Sequence, residues 1–140
     1  MSAWLRIAAV SLLAASLAAC GGGGGGNPDE AAIEDMVEQF FQAFEDGDAA
    51  LLASIFAEQC GDMTAAASSA IDQYEGLGDI ELDLEDVSIE NLTETTARFL
   101  PQGTVTSEGE EAPLSDPNEP YTAAVKENGA WKVAECELFL

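Results

Sequence analysis

The chain has 140 residues and a formal net charge of −23 at pH 7, because 27 Asp and Glu residues stand against 4 Lys and Arg residues. A field of that sign repels phosphate backbones, so we expect no nucleic-acid partner. The sequence has no histidine, which excludes Ser–His and Cys–His nucleophilic sites and metal sites built on histidine.

The first segment is typical of an export signal. Met1–Arg6 carries one positive charge, and Ile7–Ala19 is an uncharged run rich in Ala and Leu. This run is shorter than the roughly 20 residues that span a bilayer core. A charged start, a short apolar middle and small residues at the end predict a secretory signal peptide over residues 1–19.

The end of that segment, Leu17-Ala18-Ala19-Cys20, resembles the bacterial lipobox, in which an aliphatic residue and two small residues precede a cysteine. The resemblance implies cleavage before Cys20, a diacylglyceryl group on its sulfur and acylation of the new amino terminus. The alternatives are an ordinary signal peptide in which Cys20 is incidental, or an uncleaved anchor. We therefore expect the membrane to be a partner, reached through lipid at Cys20.

The glycine run Gly21–Gly26 has no side chains to pack and great backbone freedom. Residues 20–26 thus read as a lipidated cysteine with a disordered tether that holds the domain off the membrane. A phosphate-binding loop is the alternative, but the run lacks the necessary lysine. The predicted location is the extracytoplasmic face of the cell membrane. Gly21 is not the Asp that retains lipoproteins at an inner membrane, so in a host with two membranes an outer-membrane location is also compatible with the sequence.

Three helices are predicted next. Asn27-Pro28 is a helix start, an apolar stripe runs from Ile33 to Phe44, and Gly47 ends the helix. Asp48 can cap a second helix that ends near Cys60. A third helix is expected from about Met63 to Tyr74, before Gly76 and Gly78.

The pattern then changes to alternation, which predicts strands. Residues 80–89 alternate with a change of phase at Glu85-Asp86, which indicates a β-bulge or, alternatively, a short loop before the true strand. Further strands are expected at 95–105, 121–126 and 130–140, with a polar loop at 107–120. Asn128-Gly129 predicts a two-residue hairpin turn between the last two strands.

Cys60 and Cys136 are the cysteines that remain after Cys20. In an exported domain the simplest interpretation is one disulfide bond between them, since disulfides persist outside the cytoplasm. Two free buried thiols are the alternative.

Two stretches carry a family resemblance. VEQFFQAFEDGDAALLASIF resembles the opening of small nuclear-transport-factor-2-like domains, and YTAAVKENGAWKVAECEL resembles their closing hairpin. The resemblance covers residues 31–140 and extends to short exported lipoproteins of actinobacteria of the low-molecular-weight secreted-antigen type. It implies an α+β fold, with three N-terminal helices packed on a curved antiparallel sheet of about four strands, in a domain at residues 27–140.

In such folds the space between the first helix and the sheet can hold an apolar ligand. The resemblance makes four aromatic residues candidates for the lining of such a pocket: Phe40, Phe44, Tyr74 and Trp131. Alternatively they fill the core, as aromatic residues at helical and strand spacing usually do.

Enzymes in the resembling superfamily, such as ketosteroid isomerases and polyketide cyclases, hold acids or phenols inside the pocket. Here Asp72 and Tyr74 are the nearest candidates, and their spacing places them on different sides of a helix. We therefore expect no catalytic residue. The leading hypothesis is a non-catalytic binding or interaction domain with an unknown protein or apolar ligand. A carrier of a small apolar molecule and an isomerase-like or cyclase-like enzyme are the alternatives.

We also expect no metal and no cofactor. Residues 116–119 offer oxygen ligands but lack the spacing and the glycine of an EF-hand loop. The alternating acids Glu81, Asp83 and Glu85 are more simply the solvated face of a strand.

Overall fold

The structure is a computed structural model, and it describes residues 27–116, 118 and 120–138. Within them, three α-helices and a short 3₁₀-helix precede the strands of an antiparallel sheet. The helices are α1 (Pro28–Asp46), α2 (Ala49–Ser54) and α3 (Thr64–Glu75), with the 3₁₀-helix at Glu58–Cys60. The strands are β1 (Ile80–Glu90), β2 (Thr96–Ser107), β3 (Glu110–Pro113), β4 (Thr122–Glu127) and β5 (Ala130–Val133). The helices pack on the curved sheet, which confirms the predicted fold class.

The ends of α1 follow the predicted capping residues. The side chain of Asn27 accepts a hydrogen bond from the backbone N–H of Asp29 at 3.0 Å. Gly47 ends the helix in the left-handed conformation, at φ 65°, which glycine adopts without steric cost. One residue later, the Asp48 carboxylate accepts the N–H of Leu51 at 2.9 Å and caps α2.

The second helix is shorter than predicted, because the chain after Ser54 bonds to the sheet instead. The N–H of Val133 donates to the carbonyl of Ile55 at 2.9 Å, and the N–H of Ala57 donates to the carbonyl of Val133 at 2.8 Å. Phe56 thereby forms a parallel bridge with Val133. These bonds join the helical half of the domain to its last strand.

A core of apolar side chains lies between the helices and the sheet. Its largest fully buried members are Ile33 and Val37 of α1, Leu52 of α2 and Val133 of β5. Within the described residues, no charged residue is buried. The acids therefore lie where water solvates them, as expected for unpaired carboxylates.

The sheet has the strand order β1-β2-β4-β5. Strand β3 pairs with the edge of β2 that also carries β4, but at the opposite end of β2. The register of β1 against β2 shifts between Leu84 and Asp86, which confirms the predicted bulge. Gly103 pairs with Leu84 at this point, and a Cβ atom there would collide with the backbone carbonyl of Asp83. The sequence accordingly has glycine where the two backbones approach most closely.

Two strand predictions are corrected. Part of the predicted polar loop at 107–120 is β3, which forms a hairpin with β2 through Glu108 and Gly109, both at positive φ. The last strand ends at Val133 rather than at Leu140, because the chain turns there to bring Cys136 to Cys60. The predicted Asn128-Gly129 turn is present, with φ values of 51° and 82°.

Asp29 connects the start of α1 to the hairpin of β4 and β5. Its Oδ1 accepts a hydrogen bond from Lys126 Nζ at 2.7 Å and another from Trp131 Nε1 at 3.0 Å. The hydrogen bond from Lys126, followed by that from Trp131, holds the pKa of Asp29 below its ordinary value of 3.8. A carboxylate in the first turn also complements the positive end of the helix dipole.

These contacts predict how stability responds to acid. A group with a depressed pKa in the folded state contributes stability above its unfolded pKa, and that contribution is lost as the pH falls through its folded pKa. Asp29→Asn should therefore lower the melting temperature at pH 7, and its difference from wild type should shrink below about pH 4.

Asp35→Asn is the matched control, because Asp35 is an exposed acid on the same helix. The difference in melting temperature between Asp35→Asn and wild type should not shrink in this way as the pH falls. Melting curves of the three proteins between neutral and acidic pH measure both effects. An Asp29→Asn difference that stays constant down to the most acid pH would contradict the assignment.

Candidate ligand-binding cavity

A partly open cavity of about 290 Å³ lies between α1, the curved sheet and the segment that follows β5. Most of its lining is apolar: Val37, Phe40, Phe41, Phe99, Leu100, Pro101, Leu114, Ser115, Pro120, Thr122, Val133, Glu135 and Leu138. Its volume is near the lower end of the roughly 300–1,000 Å³ that small-molecule sites occupy. The cavity is thus suited to one small ring system or a short chain.

The helical wall is aromatic. Phe40 and Phe41 are half-buried neighbours on α1, and their ring centroids are 5.6 Å apart in an edge-to-face arrangement. Val37 lies one turn earlier and is buried. Rings held against one another and against the core lose little conformational freedom when they contact a ligand.

The sheet wall exists because the edge of β2 is incompletely paired. Residues 96–99 pair with β4 and residues 104–107 pair with β3. Pro101 falls between these two ladders, at a position where a missing N–H removes no bond to either strand. The Ser115 hydroxyl donates to the Pro101 carbonyl at 2.7 Å and brings the 114–115 segment across the gap. The gap leaves Leu100 and Pro101 available as lining.

The third wall is the segment after β5, and a disulfide bond holds it in place. Cys60 and Cys136 are joined, with their Cα atoms 5.2 Å apart, so the predicted pair is present. The side chain of Gln59 also donates to the Ala134 carbonyl at 2.8 Å. Leu138, two residues beyond the bond, contributes to the cavity and remains 41% exposed.

Of the four aromatic residues predicted as lining, Phe40 lines this cavity. Phe44 lies one turn further along α1 and packs against Tyr74 of α3, with ring centroids 5.4 Å apart. The Tyr74 hydroxyl donates to the Ile80 carbonyl at 3.3 Å. Burial, and then the nearby charge of Glu45, raise the pKa of Tyr74 above its ordinary value.

Trp131 lies elsewhere and is buried beside the start of α1. Its indole N–H donates to Asp29, and the Lys126 ammonium is 5.9 Å from the centre of its ring. These contacts assign Trp131 to the connection between α1 and the last hairpin. Phe44, Tyr74 and Trp131 thus belong to the packing of the domain, as the core interpretation has it.

Sequence reasoning missed most of the lining. Helical spacing predicts Phe41 as part of the apolar stripe of α1 and does not indicate a pocket. Pro101 inside a strand candidate was the one available signal, since proline in a strand marks an edge or an interruption of pairing. Glu135 and Leu138 carried no signal, because their place depends on the disulfide bond.

Asp72, the acid that sequence analysis considered for catalysis, is exposed on α3. Tyr74, its predicted companion, is half-buried on the same helix and bonded to Ile80 as described above. The structure therefore does not bring this pair together at the cavity.

Among the described residues, no group of three or more Cys, Asp and Glu side chains is placed to hold a metal ion. No helix in the same ranges is both long enough and apolar enough to cross a membrane. The predicted signal peptide, Cys20 and the glycine tether lie outside the described residues.

The fold has counterparts among solved structures. A variant of Rv3472, a Mycobacterium tuberculosis protein of unknown function, superposes with a TM-score of 0.58 at 16% identity, over 76% of this chain and 68% of its own. A Streptomyces avermitilis protein proposed to be a dehydratase of the NTF2-like family gives 0.51 at 16% identity, over 75% of this chain and 90% of its own.

No family model and no curated protein matches the sequence. Identities of this size bear on architecture and leave activity and substrate open. The chain therefore has the nuclear-transport-factor-2-like fold.

Proposed function

We propose that this protein is an exported lipoprotein, anchored through Cys20, whose domain binds one small apolar molecule in the cavity between α1 and the sheet. The observation that carries the proposal is the cavity itself, with its aromatic helical wall and its apolar sheet wall. Among the hypotheses raised by the sequence, such a cavity favours a small-molecule carrier over a domain with a completely filled core.

Three features of the chain support export and anchoring. The lipobox-like sequence ends at Cys20, and the glycine run that follows leads directly to the capping residue of α1. A disulfide bond joins Cys60 to Cys136, which suits an oxidising compartment. More than one acyl chain at Cys20 would supply stable attachment at about 0.8 kcal/mol per buried CH₂.

The composition of the lining supports binding rather than catalysis. Glu135 is the titratable residue of the lining, and its side chain is exposed at the rim. General acid–base catalysis uses a group whose pKa is moved towards the working pH, typically by burial beside the substrate. Phe, Leu, Val and Pro side chains instead offer shape and apolar contact.

The chain offers a matched pair of leucines for testing the binding site. Leu138 and Leu77 are its large exposed apolar residues within the described ranges, and Leu138 belongs to the lining while Leu77 does not. Naphthalenemethanol is a suitable probe because it is small, neutral and fluorescent. Leu138→Ala should weaken its binding about fivefold, through the loss of about 1 kcal/mol of apolar contact. Leu77→Ala should leave its affinity unchanged.

Fluorescence titration measures both affinities, and thermal melting shows that both variants remain folded. Equal weakening by the two substitutions, or no saturable binding to the wild-type protein, would overturn the proposed site.

A further inference from the structure

The cavity has few polar groups, and they differ in charge and in their capacity to form a hydrogen bond with a ligand. Ser115, Thr122 and Glu135 are its polar lining residues, and Glu135 brings the one formal charge. The hydrogen atom of the Ser115 hydroxyl is already donated to the Pro101 carbonyl. Glu135 is placed at the rim by its Oε2, which accepts the backbone N–H of Ala123 at 3.4 Å. An ionised carboxylate only accepts hydrogen bonds, and its other oxygen can accept one from a ligand.

The cations of the described part are Arg98, Lys126 and Lys132, and none of them belongs to the lining. Each is directed to an oxygen atom elsewhere in the domain. Arg98 Nη2 donates to the Tyr121 carbonyl at 2.7 Å, Lys126 Nζ to Asp29 at 2.7 Å, and Lys132 Nζ to the Ser54 carbonyl at 2.6 Å. A ligand carboxylate or phosphate would find no counter-ion among these groups.

We infer that the cavity is selective for apolar molecules that carry a cationic amine, with Glu135 as the counter-ion, and discriminates against apolar carboxylates and phosphates. This inference rests on the proposed function and specifies the ligand class of the same site. The apolar body would occupy the space between Phe41 and Leu100, and the ammonium group would lie at the rim.

Charge affects the ligand selectivity of the cavity both at long range and at short range. The large excess of Asp and Glu over Lys and Arg raises the local concentration of cations and lowers that of anions around the whole domain. Glu135 acts at short range, where an ammonium group can donate a charge-assisted hydrogen bond to its carboxylate. Only the second effect depends on one residue, so the two can be separated by mutation.

Three probes with the same aromatic body and different head groups test the inference: naphthylmethylamine, naphthalenemethanol and naphthoate. Isothermal titration of the wild-type protein at pH 7 and low salt should rank them in that order. The ammonium probe should bind roughly threefold more tightly than the alcohol, as expected for a partly exposed ion pair. It should bind at least about tenfold more tightly than the carboxylate.

Glu135→Gln should remove most of the advantage of the ammonium probe over the alcohol, and the advantage that remains should come from the net charge of the domain. Glu137→Gln is the matched control, because Glu137 is an exposed acid two residues away that does not line the cavity. It changes the net charge equally and should preserve the ranking.

Equal affinities for the three probes, or tightest binding of naphthoate, would overturn the inference while the proposed binding function stands. An ammonium advantage that Glu135→Gln and Glu137→Gln reduce equally would overturn the role of Glu135. Failure of all three probes to bind would overturn the inference and the proposed function together.

Discussion

Replacing Cys20 by serine should release the protein from the membrane. In the proposed lipid anchor, the Cys20 thiol accepts the diacylglyceryl group, and a hydroxyl group at that position would not replace it. Without lipid, the large excess of Asp and Glu over Lys and Arg keeps the domain away from anionic head groups. The expected effect is a shift of nearly all the protein from the membrane fraction to the soluble fraction, provided that the signal segment is still removed.

Fractionation of cells that produce the wild-type protein and Cys20→Ser measures this effect, and electrophoresis distinguishes a cleaved chain from an uncleaved one. Gly24→Ser is the control, since it alters the proposed tether and preserves the Leu17–Cys20 motif. If cleaved Cys20→Ser protein stays on the membrane as fully as wild type, the lipid anchor is refuted.

Removing the disulfide bond should cause a large loss of stability. The bond joins residues 76 positions apart. In the chain-entropy model, a loop of that length corresponds to about 4 kcal/mol of stability at 25 °C, because the bond restricts the unfolded chain. The variant Cys60→Ser/Cys136→Ser should therefore unfold at a much lower urea concentration than wild type.

Equilibrium urea unfolding of the double variant and of wild type, with and without reductant, measures this loss. Reduced wild type should behave like the double variant, and the double variant should not respond to reductant. A difference below about 1 kcal/mol would contradict the account, because it lies under the usual 2–5 kcal/mol for a native bond in a small exported domain.

The elements that could be predicted are those whose signals are local. The start of α1 follows from Asn27-Pro28, and its end follows from Gly47-Asp48, because capping involves residues within one turn. The bulge in β1 follows from a change of phase within one strand. The hairpin at Asn128-Gly129 follows from the positive φ that its turn requires.

Strand β3 was missed because nothing in its sequence alternates. All four of its residues are exposed, so no apolar face marks it as a strand. Its turn residues, Glu108 and Gly109, adopt the positive φ values of a tight hairpin. Glutamate at such a position is not a recognised turn signal. Backbone pairing with β2 defines this strand, and no pattern of residue types in the sequence predicts that pairing.

The candidate site was harder to predict because its geometry depends on distant partners. Helical spacing placed Phe40 and Phe44 on one stripe, but it could not determine which ring meets the sheet gap and which meets Tyr74. Trp131 is bonded to Asp29, which lies 102 residues away in sequence. Such pairings follow from the path of the chain, and single-residue patterns do not contain them.

The most direct test of the central claim is an NMR titration of methyl-labelled protein with naphthalenemethanol. The account predicts saturable shifts of the methyl groups of Val37, Leu100 and Leu138, which line the cavity. It predicts no shifts of Leu77 or Ile71, which lie outside the lining. Shifts concentrated at Leu77, or no saturable shift at the lining residues, would contradict the claim that this cavity binds a small apolar molecule.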